Sequence, residues 1–427
     1  MRLNALKNTF FPKVLGIVLV FVSCGNGTKV ETQKSTAAAS TEIESSETHD
    51  PIVVGASQIE SYLKLLKGKS VGVVANQTSV IFKSSELKGQ SDDPKTYTHL
   101  VDSLLALDVE VMTVFSPEHG FRGLADAGEL VKDGKDKKTG LPIYSLHGDH
   151  KKPSAVQMKN LDIIVFDIQD VGVRFYTYIS TLHHVMEACA ENQVPLFILD
   201  RPNPNGSYVD GPTLEKKHAS FLGMHPIPLV HGMTIGEYGK MINGEKWLRD
   251  GIQCELTVIP VKNYTHDMSY QVPIRPSPNL PNDQAIALYP SLGLFEGTNI
   301  NAGRGTEEQF QRFGAPFLDS TYFKFSYTPK SKVGAKYPKH EDKVCYGRDL
   351  SKVEIDGKMT LKYVIEAYRH SNDKSKVFNT KNFTTHAGTS QLQKQIEQGM
   401  AESEIKETWQ SDLERFKKTR AKYLIYE

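Results

Sequence analysis

The stretch Leu161–Ile168 reads LDIIVFDI, an apolar run of strand length. The next segment, Tyr176–Asn192 (YTYISTLHHVMEACAEN), has apolar residues at helical spacing over about four turns. Pro195–Leu199 (PLFIL) is a second short apolar run. Two buried strands joined by a helix are typical of a βαβ unit, in which the strands run parallel. This succession decides the fold class.

The same alternation begins nearer the N-terminus. Ser70–Ala75 (SVGVVA) and Val109–Phe115 (VEVMTVF) are further strand-like runs, and Thr98–Ala106 (THLVDSLLA) has helical spacing. The pattern predicts an α/β fold with a doubly wound, Rossmann-like parallel sheet. Thr234-Ile-Gly-Glu237 has the pattern of a capping box for a helix that runs to Met241, so we expect Glu237 to be structural.

The pattern changes after about residue 260. Five prolines between Pro273 and Pro290 should interrupt helices. A long charged helix is expected around Gln391–Tyr423. We therefore predict a Rossmann-like catalytic domain over residues 52–260 and a smaller α+β auxiliary domain over residues 261–427.

The N-terminus has the composition of an export signal. Three basic residues precede an apolar run at Val14–Val22, which is too short to span a membrane. Cys24 then stands where a bacterial lipoprotein is lipidated. We predict a signal peptide at residues 1–23, a flexible tether at residues 24–51, and an exported, periplasmic, lipid-anchored protein. The alternative is a simple cleaved signal with an incidental cysteine.

Opposite charges almost balance, because 51 Lys and Arg stand against 50 Asp and Glu. This balance gives no reason to expect nucleic-acid binding, and a small or medium-sized ligand is the expected partner. Cys189, Cys254 and Cys345 have neither metal-site nor disulfide-framework spacing. We expect them to be isolated and mostly buried.

Polar residues follow all four predicted strands. In an open parallel sheet the carboxyl ends of the strands meet at one edge, and ligands bind there. Any one of these segments could be a plain turn, but four on one edge indicate a shared site. The segments are Asn76–Ser79, Ser116–Gly123, Asp167–Arg174 and Asp200–Gly206.

Carboxyl groups are prominent at this edge, and pairs of carboxyl groups cleave glycosidic bonds. Glu118 directly follows a strand, in a loop constrained by a proline and a glycine, and is the first candidate for a general acid. Asp170 and Asp167 are candidates for the second acid, and His119 for orienting a carboxylate or binding a sugar hydroxyl. The plain alternatives are a Glu118–Arg122 salt bridge, a core hydrogen-bond anchor at Asp167 and a surface histidine at His119.

Other chemistries fit the sequence less well. His119, His147, Asp167 and Asp170 could gather a metal ion for hydrolysis of an amide or ester, but there is no HExxH and no metal-spaced Cys/His cluster. Ser116 lies in no Gly-x-Ser-x-Gly elbow. No Gly-x-Gly-x-x-Gly follows the first strand, so the fold does not imply a dinucleotide. We predict neither a metal nor another cofactor.

A series of motifs along residues 52–425 resembles, in order, the exo-β-N-acetylmuramidases of glycoside hydrolase family 171. The motifs are Val74–Thr78, Phe115–Gly123, Asp126–Glu129, Phe166–Tyr178, Leu199–Gly206, Asp210–Pro212, His231–Thr234, Pro276–Pro281, Tyr289–Asn299, Gly303–Thr306 and Phe313–Pro316. So many ordered matches are far more specific than any single motif.

The resemblance implies a Rossmann-like domain and an auxiliary domain with the active cleft between them. It implies release of terminal N-acetylmuramic acid (MurNAc) from MurNAc-GlcNAc fragments or muropeptides in cell-wall turnover or recycling. Glu118 falls on the family's Glu-His-Gly motif, where the catalytic acid is expected. For the second catalytic group, position favours Asp170, with Glu296 or Glu129 behind it.

Residues in or beside these motifs are expected to bind the substrate: Asn76, Gln77, Arg122, Glu129, Asp167, Gln169, Arg174, Arg201, Asn203, Asn279, Glu296, Asn299 and Arg304. MurNAc carries a lactyl carboxylate that GlcNAc lacks, and a guanidinium suits a carboxylate in two-point contact. We expect at least one of these arginines to read the lactyl group. The alternative is that each pairs with a neighbouring acid such as Asp170 or Asp200.

A second function class also fits the sequence. A lipid-anchored periplasmic protein that binds muropeptides without cleaving them would carry similar polar strand ends, and turnover separates the two. For the enzyme, retaining, inverting and substrate-assisted routes stay open, because they depend on the distance between carboxyl groups.

Overall fold

The computed structural model describes residues 50–83, 96–123 and 133–427. The predicted signal peptide, nearly all of the predicted tether, Cys24 and Glu129 lie outside these residues. The strands are β1 (Ser70–Ala75), β2 (Val80–Phe82), β3 (Tyr97–His99), β4 (Glu110–Ser116), β5 (Gly134–Lys135), β6 (Pro142–Ser145), β7 (Ile163–Asp167), β8 (Leu196–Leu199), β9 (Leu256–Ile259), β10 (Arg312–Ala315), β11 (Phe325–Tyr327) and β12 (Cys345–Asp349). The α-helices are α1 (Ile59–Leu66), α2 (Leu100–Ala106), α3 (Ala155–Met158), α4 (Tyr178–Asn192), α5 (Ile235–Gly244), α6 (Asp283–Leu292), α7 (Lys362–Arg369), α8 (Thr380–Ala387), α9 (Gln391–Glu397), α10 (Glu402–Glu407) and α11 (Gln410–Arg420).

The central sheet has seven strands in the order β5-β6-β4-β1-β7-β8-β9. All neighbours pair in parallel except β5 and β6. Strands β4 and β6 lie on one side of β1, whereas β7, β8 and β9 lie on its other side. The chain therefore winds in both directions from the first strand. The predicted α/β class with a Rossmann-like sheet is confirmed.

Alternate residues of the strands face two apolar layers. Val73 and Val165 pack in one cluster with side chains of α1 and α2. Val74 and Phe166 pack in another with side chains of α4 and α5. Because both faces are covered, the inner strands are apolar on both sides and appear in the sequence as continuous apolar runs.

The residues after β9 add a second, smaller part. Its sheet has the order β10-β12-β11 and is antiparallel. Phe313 of β10 and Phe383 of α8 belong to the same apolar cluster as α4 and α5. The predicted domain boundary at residues 260 and 261 stays a prediction.

The predicted strands and the first helices are present. β1 has the predicted bounds, and β4, β7 and β8 lie within the predicted runs except that β4 extends to Ser116. In the predicted helix Thr98–Ala106 the first two residues belong to β3 instead, and α2 begins at Leu100. The Thr234 capping box is confirmed, since Glu237 Oε2 accepts from Thr234 N at 2.9 Å and Thr234 Oγ1 accepts from Glu237 N at 3.3 Å.

Two helix predictions in the C-terminal part are wrong. The stretch Gln391–Tyr423 holds three helices, because Gly399 adopts φ +79° after α9 and Glu404 Oε2 then accepts from Ala401 N at 2.7 Å to start α10. Helix α6 runs through Pro290 instead of breaking. Because proline has no N–H, Pro290 cannot donate the helical hydrogen bond to Ile286 O. That oxygen accepts a hydrogen bond from Asn205 Nδ2 at 3.3 Å instead.

The parallel register brings the strand ends to one edge of the sheet. Ala75 pairs with Asp167, and Ser116 pairs with Ser145. The loops after β1, β4, β7 and β8 therefore leave from the same edge, as the sequence predicts. The three cysteines of the described part are buried and free, as predicted, but Cys189 and Cys254 are not isolated: after burial, the neighbouring Cys254 thiol also raises the pKa of Cys189. None of the helices in the described part combines the length and the apolar character needed to cross a membrane.

Candidate active site

The loop after β4 carries Glu118 to the sheet edge. His119 and Gly120 both have positive φ, +71° and +80°, and Gly120 N donates to Pro117 O at 3.1 Å, so the chain turns sharply here. Positive φ at a non-glycine residue costs about 1–3 kcal/mol, and such strain concentrates at functional sites. The Glu118 carboxylate accepts a hydrogen bond from Thr177 Oγ1 at 3.1 Å, which holds it beside the start of α4.

His119 links this loop to the C-terminal part of the chain. Its Nε2 lies 3.0 Å from Ser277 Oγ, and the same hydroxyl oxygen accepts from Asn279 N at 3.2 Å. The His119 side chain is buried, so the alternative of a surface histidine is wrong. Its contact with Ser277 anchors the loop that carries Glu118.

Asp170 lies just past β7 and is fully enclosed. Its Oδ2 accepts from Gly172 N at 2.7 Å, while its Oδ1 has no hydrogen-bond partner. Nε2 of the buried His231 lies 3.8 Å from Oδ2, which is too far for a hydrogen bond. Burial raises the pKa of Asp170 to about 7, and the hydrogen bonds from the Gly172 and Val171 amides offset only part of this effect.

Three tyrosines lie near these carboxyl groups, of which Tyr176 and Tyr178 are buried and Tyr289 is partly buried. The hydroxyls of Tyr176 and Tyr178 both donate to Pro276 O, at 2.7 and 3.2 Å. Burial raises the pKa of Tyr178, and the negative charges of Glu118 and Asp170 raise it further. Tyr289, whose ring centroid is 5.9 Å from that of Tyr176, also has a raised pKa through burial and then through the charge of Glu296, with smaller contributions from Glu118 and Asp170. The charges of Glu118, Asp170 and Glu296 therefore all act on this group of tyrosines.

Three of the predicted amide residues each keep a buried carbonyl oxygen without a partner. These oxygens are Gln77 Oε1, Gln169 Oε1 and Asn279 Oδ1. The amide nitrogens of the same residues are bonded, as when Gln77 Nε2 donates to Arg275 O at 3.1 Å and Gln169 Nε2 to Asp170 O at 2.8 Å. Unpartnered buried acceptors are rare, and sugar hydroxyls are suitable donors for them.

A second wall of the site comes from the C-terminal part. We call Glu296, Arg304, Lys339 and His386 the cationic wall. Arg304 Nε lies 3.3 Å from Glu296 Oε2, and the Arg304 guanidinium lies over the Phe310 ring at 5.7 Å. Burial alone would raise the pKa of Glu296, but the positive charges of Arg304 and Lys339 outweigh it and lower that pKa. Burial lowers the pKa of Lys339 and of His386.

The four predicted arginines separate into two groups. Arg122 binds Asp136 with two hydrogen bonds, at 3.0 and 2.7 Å. Arg201 binds Asp167 in the same way, at 2.6 and 2.9 Å. The buried Arg174 donates to four backbone carbonyls, those of Pro212, Ile227, His386 and Ala387. Only Arg304 contacts a carboxylate without hydrogen-bond geometry.

Other predicted binding residues are engaged within the fold. Asp167 is held by Arg201, which supports its role as a core anchor. Asn203 Nδ2 donates to Met233 O at 2.9 Å, and Asn299 Nδ2 to Lys376 O at 2.9 Å. Asn76 Oδ1 accepts from Thr78 N at 2.9 Å and from its hydroxyl at 2.6 Å, which closes the turn after β1.

Sequence reasoning missed several residues of this site. Thr177, Tyr178, Ser277 and Tyr289 lie in the quoted motifs, but nothing in their spacing assigned them a role. Lys339 and His386 lie outside every motif and reach the site only through the fold. Within the described ranges no three His, Cys, Asp or Glu side chains are grouped closely enough to hold a metal ion.

Two family models match the chain, and the first match ends and the second begins within α6. The model described as "Exo-beta-N-acetylmuramidase NamZ, N-terminal" matches residues 71–284. The model described as "Exo-beta-N-acetylmuramidase NamZ, C-terminal" matches residues 287–426. Together they include every site residue named above.

Whole-chain comparisons agree with the family models. Peptidoglycan beta-N-acetylmuramidase NamZ of Bacillus subtilis (strain 168) is 38% identical over 390 residues, which cover 86% of this chain and 89% of the relative. The crystal structure of a DUF1343 family protein from Bacteroides fragilis NCTC 9343 matches with a TM-score of 0.79 and 44% identity, over 88% of this chain and 99% of that chain. A second one from the same organism matches with a TM-score of 0.74 and 27% identity over the same shares. The chain therefore belongs to the exo-β-N-acetylmuramidase NamZ family.

Proposed function

We propose that this chain is an exo-acting glycoside hydrolase that releases MurNAc from the non-reducing end of peptidoglycan fragments in cell-wall turnover or recycling. The observation that carries the proposal is that Glu118, in the loop after β4, and Asp170, in the loop after β7, leave from the same edge of the sheet, where, after burial, the negative charges of both raise the pKa of Tyr178. Two carboxyl groups beside one binding space are what glycosidic cleavage requires. The identity of 38% over 390 residues to a peptidoglycan beta-N-acetylmuramidase supports this activity.

Glu118 is the general acid in this proposal. Its loop is held by the turn at His119 and by the hydrogen bond from Thr177, so its carboxyl group is positioned before substrate arrives. It donates a proton to the glycosidic oxygen as the bond from that oxygen to the sugar C1 breaks, and the shortened saccharide leaves with the proton. A water molecule then supplies the hydroxyl at C1.

Asp170 is the second catalytic group. Its Oδ1 has no partner, and its pKa of about 7 is close to the pH at which a base works best. As a base it accepts the proton of the attacking water, or it orients the 2-acetamido group of MurNAc if that group attacks C1. The buried Tyr176 and Tyr178 lie near it, since, after burial, the charge of Asp170 also raises the pKa of both.

Arg304 is the residue that reads the lactyl carboxylate. Arg122, Arg174 and Arg201 already have their hydrogen bonds within the fold, whereas Arg304 is partly exposed and bonded to no carboxylate with hydrogen-bond geometry. Its Nη atoms can form the two-point contact that a carboxylate favours. Lys339 adds a second positive charge to the same wall.

Export and lipid attachment at Cys24 complete the proposal. The basic residues, the apolar run Val14–Val22 and the position of Cys24 support a lipoprotein signal. A periplasmic anchor would place the enzyme where peptidoglycan fragments are released. Metabolic labelling with a fatty-acid analogue tests this, and a Cys24→Ser variant that still takes up the label would contradict it.

Cleavage of MurNAc-GlcNAc by the purified protein tests the proposed activity. The same assay on the Glu118→Gln variant tests the role of Glu118 as the general acid. We expect kcat to fall about 10²–10⁴-fold, and less on a nitrophenyl β-MurNAc glycoside, whose leaving group needs no proton. Glu110→Gln, at the opposite end of β4 and exposed, is the matched control and should be fully active.

Three results would contradict parts of this proposal. An equal loss on both substrates would remove Glu118 from the acid role. Equal cleavage of β-GlcNAc and β-MurNAc glycosides would remove the muramidase specificity. Binding of muropeptides by the wild type without turnover would make the protein a binding protein.

A further inference from the structure

The loop between β11 and β12, residues 328–344, is long but firmly held. Lys330 N donates to Gly305 O at 2.9 Å, and Lys332 N and Ala335 O are bonded at 3.2 Å. Ser331 Oγ donates to Lys336 O at 2.8 Å. Loops of this length inside a folded part of a protein are commonly functional, and these bonds give this one a defined shape.

One side of the loop contacts the catalytic edge of the site. Asn279 Nδ2 donates to Gly334 O at 2.7 Å. Asn279 is two residues from Ser277, whose hydroxyl contacts His119 beside Glu118. The middle of the loop is therefore connected to the residues that position the proposed acid.

The other side of the loop forms part of the cationic wall. Lys339 Nζ donates to Phe295 O at 2.9 Å and to Glu296 O at 3.2 Å. His340 Nε2 lies 2.6 Å from Asn299 O. The loop thus spans the rim of the site from the His119 side to the Glu296 side.

Two apolar side chains of this loop point into solvent. Tyr337 is 83% exposed, the highest value for a large apolar side chain in the described residues, and Val333 is 77% exposed. Their neighbours Gly334, Ala335 and Pro338 are buried, so the exposure does not come from a loosely held loop. Single exposed apolar side chains are normal on a protein surface, but these two lie on one firmly held loop at the rim of the site, where a substrate chain would pass.

We propose that Tyr337 and Val333 form a platform for the sugar residues on the leaving-group side of the scissile bond. The inference rests on the proposed function: if the terminal MurNAc lies between Glu118 and Arg304, the rest of the saccharide must leave across the rim. A pyranose ring has an apolar C–H face that an aromatic ring removes from water. A tyrosine with a fixed backbone loses little entropy in forming that contact.

Cleavage of short and long substrates tests the platform with Tyr337→Ala. On a nitrophenyl β-MurNAc glycoside, which has no sugar beyond the scissile bond, kcat/KM should stay within about twofold of the wild type. On a tetrasaccharide of two MurNAc-GlcNAc units, kcat/KM should fall about five- to tenfold through KM. Tyr337→Phe should restore it, since the ring and not the hydroxyl makes the contact.

Val156→Ala is the matched control, because Val156 is 82% exposed on α3, which precedes β7 at the opposite edge of the sheet. It should cleave both substrates normally. Tetrasaccharide cleavage unchanged in Tyr337→Ala would overturn the platform, and so would an equal loss on both substrates. Calorimetric binding of the tetrasaccharide to Glu118→Gln, with and without Tyr337→Ala, tests the platform without turnover: a Kd that does not rise overturns it, whatever the wild type cleaves.

Discussion

Two pairs of arginine and carboxylate in this molecule have the same chemistry and different surroundings. Arg201 and Asp167 lie in the sheet edge, where both side chains are buried and joined by two hydrogen bonds of 2.6 and 2.9 Å. Arg304 and Glu296 lie in the cationic wall, about a quarter exposed, with one contact of 3.3 Å. The first pair uses its hydrogen-bonding capacity inside the fold, whereas Arg304 Nε of the second pair has no hydrogen-bond partner.

The difference distinguishes a part of the site that supports the fold from the part that we propose recognises the substrate. Asp167 is the last residue of β7, and Arg201 follows β8, so their pairing locks two neighbouring strand ends beneath the catalytic loops. The cationic wall comes from a 3-10 helix (Gly293–Gly297), α8 and two loops, and its four side chains are only partly buried. A buried, saturated pair makes the geometry rigid, whereas a half-open pair can exchange partners with a substrate carboxylate.

Removing one member of the buried pair should have the largest effect. Arg201→Met leaves the Asp167 carboxylate buried without a counter-charge, and we expect a loss of about 3–5 kcal/mol in the free energy of unfolding. Urea denaturation measures it. The matched variant Arg304→Met should lose less than about 1 kcal/mol, because water already reaches that pair.

The double variant Asp167→Leu/Arg201→Met separates charge burial from packing. It should recover most of the lost stability, because no uncompensated charge is left. If Arg201→Met unfolds at the urea concentration of the wild type, the sheet-edge pair is not structural and the comparison between the two pairs fails.

Asp170 and Glu296, whose charges add to burial in raising the pKa of Tyr289, should give the stability of the protein opposite dependences on pH. The pKa of Asp170 is about 7 in the folded protein against an ordinary value of 3.8. The folded state therefore binds more protons than the unfolded chain between these values, and stability falls as pH rises through them. Asp170→Asn lacks this loss, so at pH 8 it should gain up to about 4 kcal/mol over the wild type, and nothing near pH 4.

Glu296→Gln should show the reverse. The pKa of Glu296 is lowered by Arg304 and Lys339 against its burial, so its stabilising contribution is present at neutral pH and lost as pH falls through the folded pKa. Urea denaturation of the two variants between pH 4 and 8 tests both signs. Asp170→Asn should also be about 100-fold less active, a gain in stability at the expense of catalysis. A difference from the wild type that does not vary with pH would contradict the buried state of Asp170.

The sequence reveals the sheet edge far better than the cationic wall. Buried parallel strands are continuous apolar runs, so their ends, and with them Glu118 and Asp170, can be located from the pattern alone. The partner of Arg201 cannot be located in this way. The sequence favours the adjacent Asp200 or Asp170, but the strand order places Asp167 of β7 within reach of Arg201 instead. Asp200 is occupied by Thr234 and Tyr426, which donate to its Oδ2 at 2.7 and 2.6 Å.

The cationic wall depends on contacts between distant parts of the chain. Glu296 and Arg304 were identified only through the resemblance, and Lys339 and His386 not at all. Lys339 donates to Glu296 O across 43 residues, and such a contact leaves no periodic pattern in the sequence. A single wrong helix prediction, such as the continuous helix over Gln391–Tyr423, has no effect on the sheet edge but would misplace the elements of this part.

The smallest expected effect is on substrate preference, and it tests the Arg304–Glu296 pair directly. Arg304→Ala should raise KM about tenfold for a β-MurNAc glycoside, because the lactyl carboxylate loses its two-point contact. The β-GlcNAc counterpart has no such group, so any residual activity on it should not change, and the ratio of the two kcat/KM values should fall. Arg304→Lys, which keeps the positive charge but loses the forked guanidinium, should have an intermediate KM.

Arg122→Ala is the matched control, since Arg122 is bonded to Asp136. If Arg122→Ala lowers the preference for MurNAc and Arg304→Ala does not, the lactyl group is read at the sheet edge, and the division between a supporting and a recognising pair is wrong.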